Sequence, residues 1–103
     1  MLGFLKKLFG SVEPVDFAEL VKNGAKMIDV RSKAEFASGH AKGSVNIPLD
    51  QIASKASTLN KKDVIIVCCR SGNRSASAMR ILKGKGFGQV YNAGPWTTLR
   101  NLK

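Results

Sequence analysis

The 103-residue sequence predicts an α/β domain built on a mostly parallel sheet with helices on both faces. Three observations carry this expectation. Short runs of branched apolar residues alternate with segments of helical periodicity. The strongest run, DVIIVC at 63–68, is continuously apolar, as befits a strand covered on both faces. Capping and stop residues fall between the runs, where short strand–helix connections need them.

The elements follow in order. VDFAELVKNG (15–24) predicts a helix with Asp16 as N-cap and Gly24 as stop. AKMIDV (25–30) is a short buried strand. Ser32 can cap a helix in SKAEFASG (32–39), which ends at Gly39. SVNIP (44–48) is a second strand, ended by Pro48. A helix over 49–58 places Leu49, Ile52, Ala53 and Ala56 on one side. DVIIVC is the third strand. SASAMRILKGKG (75–86) reads as a helix ending near Gly84, and QVYN (89–92) as the last strand. In AGPWTTLRNL (93–102), Pro95 suits the first turn of a closing helix.

Charge and cysteine usage narrow the function. Lys and Arg number 17 against 7 Asp and Glu, an excess that favours anionic partners. The lysines are scattered and no nucleic-acid-binding motif accompanies them, so nucleic acid is not an expected partner. The two cysteines are adjacent, which is neither a disulfide framework nor a zinc-ligand spacing. No metal or cofactor is expected. Unpaired thiols and the lack of a signal-peptide pattern point to the cytoplasm. Residues 1–10, MLGFLKKLFG, are too short to span a membrane. Leu2, Leu5, Leu8 and Phe9 can share a helical face opposite Lys6 and Lys7. Docking on the domain or on a partner, or fraying, is favoured over membrane contact, because one short amphipathic turn binds membranes marginally. The expected division is an N-terminal extension, 1–11, and one folded domain, 12–103.

The chemistry is concentrated in VIIVCCRSGNRS (64–75). Ligands of open α/β sheets bind beyond the carboxyl ends of the strands, where this run ends in a thiol. Strand residues alternate sides, so Cys68 and Cys69 are not equivalent. With the strand ending at Cys68, that thiol packs inward and Cys69 begins the loop, facing its mouth. Ser71, Gly72 and Asn73 let the backbone curl tightly, and such a curl turns successive N–H groups inward as an anion-binding nest. The next helix adds its positive end, and Arg70 and Arg74 add full charges. Cysteines in such settings fall from a pKa of about 8.5 into the range ~3.5–7.5. Cys69 is therefore the candidate nucleophile. Arg70, Ser71, Gly72, Asn73, Arg74 and Ser75 are the candidate anion-binding residues.

CRSGNRS at 69–75, after a buried strand, resembles the active-site loop of the rhodanese-like sulfurtransferases. IDVRSKAEFASGHAKGSVNIPL (28–49) resembles the family's second signature, and GFGQVYNAG (86–94) the segment that leads into its last loop. The resemblance covers about residues 12–102. It implies a five-stranded sheet. It also implies that Cys69 accepts a sulfane sulfur as a persulfide, within the N–H groups of Arg70 through Ser75, and needs no metal or organic cofactor. The implied partners are a small anionic sulfur donor, such as thiosulfate or a persulfide, and a thiol, protein or cyanide acceptor. A persulfide carrier or docking module within a protein complex is the second reading. Four residues separate Cys69 from Arg74, one fewer than in the related phosphatases and arsenate reductases, which argues for sulfur over phosphoryl transfer. Within the resemblance, Asp29 and Arg31 look like an ion pair, Glu35 a partner for Arg31 or Arg74, and His40 a structural residue. Arg70 is the better candidate for anion contact, and Arg74 either steadies the loop through a carboxylate or touches substrate. Where the family often has two glycines before its last helix, this chain has Ala93-Gly94-Pro95-Trp96.

Overall fold

The structure, a computed structural model, describes residues 15–102. Helix α1 (Phe17–Lys22) is capped by Asp16, whose carboxylate accepts the Glu19 N–H at 3.0 Å. It leads into strand β1 (Lys26–Asp29). Helix α2 (Lys33–Ala37) opens on a capping box formed by Ser32 and Glu35. Strand β2 (Val45–Asn46) precedes α3 (Leu49–Lys55), which tightens into a 3-10 turn at Ala56–Thr58. Strand β3 (Val64–Cys69) is followed by α4 (Asn73–Gly84), β4 (Gln89–Pro95) and α5 (Thr97–Arg100).

All three strand pairings are parallel, in the order β2-β1-β3-β4. Two apolar layers cover the sheet. On one face Ile28, Val30, Ile65, Val67 and Val90 pack with Ile52 of α3 and Ala56 just after it, and with Ala78 and Leu82 of α4. On the other, Met27, Ile66 and Ala93 pack with Leu99 of α5 and with Phe17, Leu20 and Val21 of α1. Helices on both faces are thus present. The resemblance implied five strands, and the described residues hold four. Each of the four comes from one of the apolar runs seen in the sequence, and the rest of the chain from Val15 to Leu102 is taken up by helices and short turns. The expected extension at 1–11 and its amphipathic segment lie outside the described residues. Among the described residues, no helix is long and apolar enough to cross a membrane.

Two boundaries after the Cys69 loop differ from expectation in ways that shape the site. Helix α4 starts at Asn73 rather than Ser75, because Gly72 adopts φ 110° and turns the chain directly into the helix. Strand β4 continues to Pro95, so this proline ends a strand instead of opening a helix. A bulge makes the extension fit: Val67 pairs with Asn92 and Cys68 with Gly94, leaving Ala93 as the extra residue. Among the described strands β4 is an edge, where a proline sacrifices no ladder bond.

The order reverses between β1 and β3. The chain leaves β1 toward β2 on one side and β3 toward β4 on the other, which opens a crevice at their carboxyl ends. Asp29 and Arg31 brace the β1 side. The guanidinium meets the carboxylate at 2.7–3.0 Å through Nε and Nη2, and Nη2 also donates to the Gly39 carbonyl at 2.6 Å. The Asn46 amide donates to the carbonyls of both Asp29 and Arg31, tying β2 to the same point. The pair is buried, so removing one partner strands a charge. Asp29→Ala is expected to cost about 3–5 kcal/mol of stability, read from the urea midpoint at constant slope.

Candidate active site

Strand β3 runs one residue further than expected, through Cys69. Cys69 pairs with Pro95, and its carbonyl accepts the Trp96 N–H at 2.7 Å. This sheet bonding holds Cys69 in the strand with 1% of its surface exposed, so its sulfur forms the floor of the loop rather than facing its mouth. The alternation of sides holds. Cys68 packs with Met27, Ala41, Ile66, Ala93 and Leu99, and Cys69 lies on the α4 face with Val67 and Ala78.

The loop closes over Cys69 Sγ. Gly72 N–H donates to it at 2.9 Å and Ser75 N–H at 3.4 Å, with the Ser75 hydroxyl oxygen 3.3 Å away. Two local features aim these donors. The left-handed turn at Gly72 points its N–H back at the strand end, and a Cβ there would sit 3.4 Å from the Gly94 Cα. Because α4 starts at Asn73, the Ser75 N–H belongs to the first turn, whose donors have no partner within the helix. Burial acts to raise the Cys69 pKa. Hydrogen bonds from the Ser75 hydroxyl and from the N–H groups of Ser75, Gly72 and Ser71 outweigh it, so the thiol is more acidic than usual. Burial pushes the Cys68 thiol the other way, up to about 12, and the nearby Asp29 reinforces it.

The expected loop residues divide by role. Gly72 and Ser75 reach the sulfur. The Arg74 guanidinium turns away to fork the Glu35 carboxylate at 2.7 and 3.0 Å, fastening α4 to α2 across the crevice. The side chains of Arg70, Ser71 and Asn73 are exposed. His40 stacks on Phe36 with ring centroids 3.7 Å apart, and its Nδ1 lies 2.8 Å from the Phe36 carbonyl, so both of these contacts stay within its own turn. The guanidinium groups of Arg31 and Arg100 each lie over the Trp96 ring, 4.8 and 5.4 Å from its centroid. The sequence reading missed Asn92. Its side chain accepts the Gly94 N–H at 2.8 Å and lies 2.6 Å from the Ser75 hydroxyl. The available signal was a polar residue inside the last apolar strand, two residues before a glycine.

The Glu35–Arg74 pair makes stability depend on pH. Arg74, and then the Ser32 backbone, hold the Glu35 carboxyl at about 2 against an ordinary 4.5. The unfolded chain therefore takes up this proton first. The contribution is complete above about pH 5 and is lost as pH falls through about 2. Glu35→Gln is expected to cost about 1 kcal/mol or less at neutral pH, the pair being partly exposed, and to flatten the change in urea midpoint between about pH 5 and pH 2.

Residues 13–94 match the rhodanese-like domain family. Over 84 residues the chain is 34% identical to the thiosulfate sulfurtransferase GlpE of Ectopseudomonas mendocina, covering 82% of this chain and 77% of that one. It is 40% identical over 75 residues to the "Putative sulfur carrier protein YrkF" of Bacillus subtilis, covering 69% of this chain but only 40% of the relative's length. A solved rhodanese with anions from E. coli superposes with a TM-score of 0.68 at 32% identity, covering 73% of this chain and 91% of its own. The human single-domain sulfurtransferase TSTD1 gives the same TM-score at 26% identity, over 77% and 83% of the two chains. By sequence and fold, this chain belongs to the rhodanese-like domain family.

Proposed function

We propose that the chain is a sulfurtransferase that moves a sulfane sulfur through a persulfide on Cys69. The observation that carries this reading is the Gly72 N–H donating to a buried Cys69 sulfur at 2.9 Å, within a loop of only four residues between Cys69 and Arg74. Such a loop stabilises a sulfur anion by oriented dipoles while staying small. The kinship with thiosulfate sulfurtransferases supports the same chemistry.

In this reading the Cys69 thiolate attacks the outer sulfur of thiosulfate or of a small persulfide. A new S–S bond forms, the donor's S–S bond breaks, and sulfite or a thiolate leaves with the electron pair. A thiol or cyanide then attacks the outer sulfur of the Cys69 persulfide, which regenerates the thiolate and releases a new persulfide or thiocyanate. Splitting one transfer into two displacements gives ping-pong kinetics. Ser71, Gly72, Asn73 and Ser75 bind the sulfur anion from the loop. Arg70, exposed at the rim, meets the anionic donor, and Arg74 steadies the loop through Glu35. The domain runs over 12–103 with 1–11 as an extension, and free thiols of this kind suit the reducing cytoplasm. The likeness to YrkF favours one further reading, a carrier that hands the persulfide sulfur to a protein acceptor.

Intact-protein mass after incubation with thiosulfate, followed by cyanide, tests this. The expected result is a gain of one sulfur atom, its loss on adding cyanide, and release of thiocyanate. Cys69→Ala is expected to abolish loading, and Cys68→Ala to retain most of it. Loading that survives Cys69→Ala would overturn the assignment. Loading that cyanide does not discharge, but a protein thiol does, would favour the carrier.

A further inference from the structure

The Ser75 hydroxyl has one proton and three acceptors within reach. They are the Asn92 side-chain carbonyl at 2.6 Å, the Gly72 carbonyl at 3.1 Å and Cys69 Sγ at 3.3 Å. It can satisfy only one of them at a time. The orientation of Asn92 is set by its surroundings. Its Oδ1 accepts the Gly94 N–H at 2.8 Å, and its Nδ2 donates to the Gly72 carbonyl at 3.3 Å. Ser75 and Cys69 are both buried, so water does not stand in for a missing partner.

We propose that Asn92 is a positioning residue for the Cys69 sulfur, acting through Ser75: its carbonyl holds the hydroxyl proton while the sulfur is a thiol and yields it when the sulfur is an anion. In the thiol state the S–H donates to Ser75 Oγ, and the hydroxyl donates to Asn92. In the anionic state the hydroxyl rotates onto Sγ, and Asn92 Oδ1 keeps the Gly94 N–H. Every buried polar group stays paired in both states, and no atom moves beyond the turn of one hydroxyl. The inference deepens the sulfurtransferase reading and rests on Cys69 being its nucleophile.

The geometry makes a prediction whose sign separates this role from a merely structural one. Asn92 competes with the sulfur for the Ser75 proton. Without that competition, the proton is free for the anion and the thiol becomes more acidic. A purely structural Asn92 does the reverse, because loosening Gly72 and Gly94 withdraws N–H donors from the sulfur. Other charged or titratable groups around Cys69 are Cys68, Arg70 and Arg74, Asp29 and Arg31 at the end of β1, and Glu35 on α2. β4 carries no charged residue. None of these groups changes in the variants below.

The test is the pH titration of thiolate absorbance in the full chain, with Cys69→Ala as blank. Cys68 stays protonated across the range. Asn92→Leu is expected to lower the Cys69 midpoint by about one unit, a tenfold larger thiolate fraction below the midpoint. In a Ser75→Ala background the same substitution is expected to change nothing, since the intermediary is gone. A midpoint that rises, stays fixed, or shifts equally without Ser75 would overturn the proposal. Where Asn92→Leu fails to fold, Asn92→Asp keeps the acceptor oxygens. It is expected to raise the midpoint, and to raise it less when Ser75 is alanine. An equal rise in both backgrounds would reject the relay. The titration needs no sulfur transfer, so wild-type protein that fails to load sulfur would reject the transferase reading alone.

Discussion

The carboxyl end of the sheet depends on one buried guanidinium. Arg31 satisfies Asp29, holds the Gly39 carbonyl and lies over the Trp96 ring. Trp96 in turn gives its backbone N–H to the Cys69 carbonyl. Three segments distant in the chain, the end of β1, the turn after α2 and the turn after β4, thus converge on one cation, and the last of them is bonded to the end of β3. Desolvating such a pair is costly, and the cost is met only where carboxylate, carbonyl and ring all surround the guanidinium. That demand fixes where the crevice opens and holds the end of β3 in place beneath the loop.

Around the sulfur itself the forces are different in kind. The five arginines and many lysines suggest a site driven by net charge, yet the groups that touch Sγ are neutral dipoles from Gly72 and Ser75. Arg74 is spent on Glu35. Dipoles anchored in a helix turn and a left-handed glycine do not reorganise as charge appears, so they stabilise an anion at little cost when it forms. The contrast with Cys68 makes the point. One residue away, more deeply packed among apolar side chains and beside Asp29, that thiol is pushed up to about 12.

Much of this was legible in the sequence because its signals were local. Asp16 and Ser32 cap the helices where expected, and the four apolar runs became the four strands. The pairing of Asp29 with Arg31 and the thiol at the end of β3 were also readable. What escaped depends on pairing between distant segments. The extension of β4 through Pro95 follows from a bulge at Ala93, which only the register against β3 reveals. The same register brings Asn92 beside Ser75, seventeen residues away, and no local pattern announces that contact. The fifth strand came from family likeness rather than from an apolar run, and the described residues do not contain it.

Strand alternation has a further consequence for the life of this protein under oxidants. If peroxide converts Cys69 to a sulfenic acid, the neighbouring thiol points into the opposite apolar layer and is held protonated. The chain has no third cysteine. No internal thiol is therefore placed to condense with the oxidised sulfur as a disulfide and shield it from further, irreversible oxidation. Repair has to come from a diffusible thiol small enough to reach the floor of the loop, so the resilience of the protein is tied to the reducing power of its surroundings.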